Sequence, residues 1–302
     1  TYITDKTGNV VETVATYDGE AGKDLVTTLD IELQQEAERI VEDALWKMKS
    51  SSDGSLLDRA FLVMMNPNTG EILSMVGKRV EYDAGGKMYL ADYSYGTFTT
   101  AYEIGSTVKG ATLLTGYREG AVTIGTPQID EPIVLGENLV KSSIFNRSGR
   151  IRMDDLMALE QSSNVYMFKI AMTMGGLSYY PYIGIASLLR DDTLQRLRNG
   201  YAQVGLGVPT GIDLPGETAG VIGVPNSPGK VLDITIGQFD TYTPLQLVQY
   251  VSTIANGGYR VQPRLLKEIR KPSKDGQMLG PLVKEIEPNI LNQLDNTQVE
   301  ID

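Results

Sequence analysis

The 302-residue sequence has no cysteine and no histidine. The first absence removes disulfides, thiol nucleophiles and thiolate zinc sites. The second removes imidazole metal sites and the Ser-His-Asp triad. A general base near neutral pH must therefore be a carboxylate, a lysine of lowered pKa or a tyrosine. Long apolar runs are also missing: "FLVMM" and "YIGIASLL" fall far short of the roughly 18 residues a membrane span needs. No charged segment followed by an apolar one opens the chain as a leader peptide does. Basic residues are the minority, 27 against 38 acidic ones, for a formal charge of −11. A nucleic-acid partner is not expected, because such a protein needs a basic surface to displace counterions.

What remains is the composition of a folded globular protein, 41% apolar and 22% charged. The abrupt ends, "TYITDKTGNVV" and "NQLDNTQVEID", suggest a soluble piece of something longer. Residues 1–26 alternate short β-like runs with turns and read as a connecting segment. Asp30 is placed to cap a helix whose apolar positions are Leu33, Ala37, Ile40, Val41, Ala44, Leu45 and Met48. "AFLVMMNPNTGEILSMVG" reads as a hairpin central in a sheet, since both runs are apolar on both faces. Residues 81–100 read as a loop, 153–175 as helix broken at "QSSN", and 201–240 as turn-rich. Thr243, Pro244 and Gln246 form a helix start with a capping box, and Gly257 a stop. The last forty residues are polar and weakly patterned. Strands mixed with helices, without regular βαβ alternation, predict an α+β fold.

The chemistry concentrates in "YEIGSTVKGAT". A helix starting near Gly105 puts Ser106 in its first turn, where free N–H groups favour developing negative charge. Lys109, three residues on, shares that face and, once desolvated, can take the hydroxyl proton. Average usage gives about one Ser-x-x-Lys by chance in a chain this long. Indeed Ser227-Pro228-Gly229-Lys230 is a second. Its Pro-Gly pair reads as a loop rather than a helical turn. "LEQSSNVYMF" holds Ser162-Ser163-Asn164 at a helix break. It either restarts a helix or presents a hydroxyl and an amide for proton relay and substrate binding. Asp154-Asp155 and Asp191-Asp192 read as helix-start and surface carboxylates, and Tyr242 and Trp46 as packing residues. No spacing suggests a metal cage, and no cofactor is expected.

The two motifs together resemble the Ser-x-x-Lys and Ser-x-Asn pair of penicillin-binding proteins and β-lactamases. "TTLDIELQQEAE", "MNPNTGEILSM", "VGLGVPTGIDLPGE", "IGQFDTYTPLQL" and "IANGG" follow the order of class B penicillin-binding proteins, the elongation-type peptidoglycan transpeptidases of Gram-positive bacteria above all. The resemblance covers about residues 20 to 270. It implies a transpeptidase fold, an antiparallel sheet flanked by helices plus a helical subdomain, truncated at the C-terminal strands. On this reading residues 27–302 are a partial penicillin-binding domain, and 1–26 a remnant of a non-catalytic module.

Ser106 would be the nucleophile acylated by the penultimate D-alanine of a stem peptide, and Lys109 its base. Ser162 would pass the proton to the leaving D-alanine, and Asn164 would bind the donor amide and orient Lys109. The N–H of Ser106 would form half the oxyanion hole. Implied partners are donor and acceptor stem peptides, β-lactams and membrane-bound cell-wall synthesis proteins. The implied location is the outer face of the cytoplasmic membrane, behind an N-terminal anchor.

Three departures stand out. The family's Lys-Thr-Gly strand is not found downstream of Gly258, and Lys6-Thr7-Gly8 precedes the nucleophile in a turn context. Ile104 stands where the family commonly has proline. No counterpart of a deacylating glutamate is evident. Without the third motif, this stretch alone is expected to be inactive. Rival readings are a D,D-carboxypeptidase or β-lactamase, and a non-catalytic β-lactam sensor or scaffold.

Overall fold

The computed structural model describes residues 2–13, 21–136, 139–189, 192–273 and 278–294. Strands β1 (Tyr2–Thr4), β2 (Val10–Thr13) and β3 (Asp24–Thr27) precede helix α1 (Ile31–Lys49). Next come β4 (Arg59–Met65), β5 (Ile72–Tyr82), β6 (Met88–Asp92) and the short α2 (Gly96–Thr99). A 3₁₀ turn at Gly105–Val108 runs straight into α3 (Lys109–Arg118). The short strands β7 (Gln128–Asp130), β8 (Ile133–Leu135), β9 (Leu139–Lys141) and β10 (Ile151–Met153) follow. Then come α4 (Asp155–Glu160), α5 (Asn164–Met174), α6 (Thr193–Gln203), α7 (Pro228–Ile234) and α8 (Pro244–Ala255). The described chain ends with β11 (Tyr259–Val261), β12 (Leu266–Arg270), β13 (Leu282–Glu285) and β14 (Ile290–Gln293).

The contacts divide these elements into two units, residues 1–27 with 266–286, and residues 28–265 with 287–302. In the first, β1 and β2 form a hairpin, and β12 lies between β13 and β3 in an antiparallel sheet. Strands thus occupy both the expected connecting segment and the weakly patterned tail. Residues 14–20 of that segment lie outside the described part. Lys6-Thr7-Gly8 sits in the β1–β2 turn. There the Thr7 backbone N–H donates to Asp5 Oδ1 at 2.8 Å, and its hydroxyl to the same oxygen at 2.7 Å.

The second unit is built on the antiparallel sheet β4-β5-β6. Alternate residues of β4 enter different clusters, as a period of two requires. Ala60, Leu62 and Met64 pack with α1. Val63 and Met65 pack with Ile72, Phe98 and Leu245. Both faces are therefore covered, but only β5 is central: among the described residues β4 pairs with β5 alone. The expected 81–100 loop contains β6, which continues the hairpin onto the other edge of β5.

Helix α1 starts where the capping rule puts it, with Asp30 Oδ1 accepting from the N–H groups of Glu32 (3.0 Å) and Leu33 (3.1 Å). It buries only Ala37, Val41 and Leu45, whereas Ile40, Met48 and Trp46 keep 40–54% of their surface. A three-stranded sheet covers one line of positions four apart, not the whole apolar stripe. The capping box of α8 is complete: Gln246 N–H donates to Thr243 Oγ1 (3.1 Å), and Gln246 Oε1 accepts from Thr243 N–H (2.9 Å). Helix α5 buries eight of its eleven residues, Lys169 and Thr173 not among them, in a core formed with Leu113, Ile133, Leu188, Leu197 and Leu232.

Two further sequence expectations need correction. Ser227-Pro228-Gly229-Lys230 is not a loop: Pro228 is the first residue of α7, the helical position where a missing N–H costs nothing. Asp155 is not a surface carboxylate. It is 1% exposed and accepts from Tyr117 Oη and from the N–H of Gly125 (3.0 Å), pinning the α3–β7 connection to α4. Its neighbour Asp154 caps α4 through Met157 N–H at 2.9 Å, and Asp192 is exposed at the start of α6. Asp191 lies outside the described residues. Among the described residues no helix is long and apolar enough to cross a membrane, and no group of three acidic side chains has a metal-binding arrangement.

Candidate active site

The segment carrying Ser106 is fixed before its helix begins. Tyr102 and Tyr242 exchange two backbone hydrogen bonds of 2.9 Å, and Gly105 N–H donates to Gly237 O at 3.0 Å. Gly105 has φ +57°, a left-handed turn that points the chain into the 3₁₀ helix. Gly237 has φ +74°, and a Cβ there would lie 2.1 Å from Gly105 O. Replacing Gly237 with alanine is therefore expected to cost more than about 1 kcal/mol. It should also slow any reaction of Ser106, and a melting curve beside an acylation assay checks both.

Helix α3 is then held from behind. Thr112 Oγ1 donates to Thr235 O (2.8 Å) and bonds Tyr201 Oη (2.6 Å), while Tyr250 Oη accepts from Ala111 N–H (3.1 Å). These contacts leave Ser106 exposed in the first turn and bury Lys109, which keeps 2% of its surface. In a 3₁₀ turn, residues three apart eclipse one another, which puts Ser106 and Lys109 on one side.

The Lys109 amine donates three hydrogen bonds, all to the Ser162–Asn164 turn. They reach Ser162 O at 2.7 Å, Ser162 Oγ at 2.9 Å and Asn164 Oδ1 at 2.7 Å. The α4–α5 break delivers these groups because Ser162 takes a left-handed φ of +55°, aiming both its carbonyl and its hydroxyl at the amine. Ser163 then caps α5 through Tyr166 N–H at 3.0 Å. The turn is thus both a helix restart and a polar cage, the two readings its sequence allowed. Asn164's orientation follows from its Nδ2, which donates to Ser142 O at 3.2 Å.

Among the described residues no hydrogen bond joins Ser106 Oγ to the amine, so the direct serine–lysine contact expected from spacing is not what holds Lys109. The Ser162 turn holds it, and resting catalytic contacts commonly tighten only when substrate binds. Burial pushes the Lys109 amine down from 10.5 to about 8, against the smaller opposing pull of the Asp130 carboxylate. In its neutral form the amine has two N–H bonds and one lone pair. Ser162 O and Asn164 Oδ1 can only accept, so the Ser162 hydroxyl is the partner able to turn its proton toward that lone pair. The arrangement is an exposed hydroxyl at a helix mouth, three residues before a lysine whose buried amine is poised to shed its charge, with a second hydroxyl in contact with that amine.

Asp130, Ser143 and Asn146 also belong to this site, and nothing in their local sequence marked them. Asp130 is 1% exposed and accepts from Ser143 Oγ at 2.5 Å and from Ser163 Oγ.

A family model described as the penicillin binding protein transpeptidase domain matches residues 60–300. The chain belongs to that family. Penicillin-binding protein H of Bacillus subtilis is 45% identical over 301 residues, covering 99% of this chain and 41% of that protein. Penicillin-binding protein 2A of the same organism is 45% identical over 97% of this chain and 40% of its own length. The chain thus spans about two fifths of the length of these relatives. The solved penicillin-binding protein 2B of Streptococcus pneumoniae strain R6 superimposes with a TM-score of 0.89 at 31% identity, over 100% of this chain and 48% of that one. The α+β transpeptidase fold expected from the motifs is the fold observed.

Proposed function

We propose that this penicillin-binding domain catalyses D,D-transpeptidation of peptidoglycan stem peptides through an acyl-enzyme on Ser106, and that β-lactams acylate the same serine. The observation that carries this is Lys109, 2% exposed and directly following the 3₁₀ turn that presents Ser106, with its amine held by Ser162 and Asn164 of the α4–α5 break. Neutral Lys109 takes the Ser106 proton as Oγ attacks the carbonyl of the penultimate D-alanine. The oxyanion forms against the free N–H groups of the first turn, that of Ser106 among them. Collapse breaks the amide bond, and the proton on Lys109 passes through the Ser162 hydroxyl to the departing D-alanine nitrogen. An acceptor amine then attacks the ester, and its proton passes by way of Lys109 to Ser106 Oγ as the ester C–O bond breaks, so the new amide replaces the old and the serine hydroxyl is restored. Asn164 contributes its amide to the donor peptide and to the orientation of Lys109. A β-lactam follows the first half alone, because its leaving nitrogen stays tethered after ring opening.

We propose that the domain lies outside the cytoplasmic membrane, where stem peptides are cross-linked, with an N-terminal transmembrane tether and membrane-bound cell-wall synthesis partners for the protein as a whole. The elongation-type assignment rests on the motif order. The test is the fate of the acyl-enzyme in the full-length protein, since residues 1–302 alone, without a Lys-Thr-Gly strand after Gly258, are expected to be inactive. With benzylpenicillin the adduct is expected to persist for many minutes by intact mass, and with a D-Ala-D-Ala pentapeptide plus an amine acceptor to yield the cross-linked amide. Adduct loss to water within seconds would favour the hydrolase reading instead.

A further inference from the structure

The Lys109 cage is itself tied to a buried carboxylate that takes no part in the steps above. Asp130 Oδ2 accepts the hydroxyl protons of both Ser143 (2.5 Å) and Ser163, and Asn146 Nδ2 donates to its Oδ1 and to its carbonyl oxygen, each at 2.9 Å. A hydroxyl has one proton, and here both protons go to Asp130, which leaves the serine lone pairs facing the start of α5. Ser143 Oγ accepts from the N–H groups of Asn164 (2.9 Å) and Val165 (3.3 Å), and Ser163 Oγ accepts from Tyr166 N–H (3.0 Å). The backbone of the Ser162–Asn164 turn is thus anchored through two hydroxyls to one carboxylate. Ser143 and Ser163 are fully buried, and Asp130 keeps 1% of its surface.

We propose that Asp130 is a positioning residue of the reaction. Through Ser143 and Ser163 it holds the Ser162–Asn164 turn against the Lys109 amine, and it supplies the negative charge that this amine faces within the fold. The proposal rests on the reading of Ser106 and Lys109 given above. The other charged groups around the node are Lys169 on α5, whose amine donates to Ile129 O at 2.6 Å, and Glu131, which pairs with Arg150 at 2.8 Å. Of all these, Asp130 is the charge that opposes the loss of the Lys109 proton. An asparagine at 130 keeps the shape but not the function. With its oxygen turned to the two hydroxyls, its amide nitrogen meets the donating Nδ2 of Asn146, and the negative charge is gone.

The experiment measures the rate of acylation by a fluorescent penicillin between pH 6 and 10 for the full-length wild-type protein and its Asp130→Asn, Ser143→Ala and Ser163→Ala variants, with Ser106→Ala as blank. In Asp130→Asn the plateau rate is expected to fall about 10-fold or more, as a displaced base requires. Its midpoint should move toward acid by about half a pH unit or more, because a neighbouring negative charge no longer favours the protonated amine. Ser143→Ala and Ser163→Ala keep the carboxylate, so their plateau rates should fall while the midpoints stay. A merely structural role would not split rate from midpoint in this way. Wild-type plateau and midpoint in a folded Asp130→Asn would overturn the proposal. If that variant does not fold by circular dichroism, wild-type acylation in both serine variants overturns it, and a reduced plateau in either supports it. Labelling that survives Ser106→Ala would instead overturn the nucleophile assignment, and this proposal with it.

Discussion

In the full-length protein, replacing Ser106 by alanine is expected to abolish covalent labelling by fluorescent penicillin, at least about 10³-fold below wild type, since no other oxygen takes over a removed nucleophile. The same change should leave stability within about 0.5 kcal/mol, because Ser106 is exposed and its hydroxyl makes no hydrogen bond among the described residues. The two readouts together matter. A variant that loses labelling and melts early has lost its fold, whereas one that loses labelling alone has lost its nucleophile. Intact mass should show a single penicillin adduct on the wild type and none on the variant. An undiminished adduct would move the reactive serine elsewhere.

Lys109→Met carries the second large effect. Methionine fills the volume of the lysine stem but cannot take a proton, so acylation is expected to fall by about 10²- to 10⁴-fold, the usual contribution of a general base. Stability responds in two opposing directions. Ser162 O and Asn164 Oδ1 lose a donor, at about 1–3 kcal/mol for a buried group left unpaired. Against that, the variant no longer buries a charge. Below pH 8 the amine is charged in both the folded and the unfolded chain. A folded pKa of about 8 against an ordinary 10.5 then means a burial penalty of order 3 kcal/mol. Between pH 8 and 10.5 the unfolded chain holds the proton more tightly, so the wild-type contribution to stability rises with pH through that window. Lys109→Met should lack this rise, which denaturant unfolding at pH 7.5 and 9.5 will show.

Much of the site is legible in the sequence because its first half is local. Ser106 and Lys109 are one turn apart, and Ser162 and Asn164 flank a break that helix capping alone points to. The same local rules locate the start of α1 at Asp30 and of α8 at Thr243. What they do not supply is the way these pieces meet. Asp130 reaches Ser143 and Ser163 across 13 and 33 residues, from the end of a three-residue strand with no distinguishing pattern. Gly237 looks like any turn glycine until Gly105 O is seen where its Cβ would be.

The misread elements share a physical cause. The Pro-Gly of α7 is poor inside a helix but costs little at its first turn, and composition does not reveal the position. In β6, Met88–Asp92 is too short to show alternation and is a strand only because β5 beside it offers an edge. Asp155 resembles any helix-start carboxylate, and only Tyr117 and Gly125, from other elements, explain its burial. Ile40 and Met48 extend the stripe of α1, but the sheet beneath is too narrow to cover them.

The most direct test concerns the amine itself. With ¹³Cε-labelled lysine, the Lys109 resonance can be assigned by its absence from the Lys109→Met spectrum and followed from pH 6 to 11. A midpoint near 8 is the result that burial in the Ser162–Asn164 cage requires. A midpoint at the ordinary lysine value near 10.5 would leave the amine charged at every working pH, and Ser106 without its base.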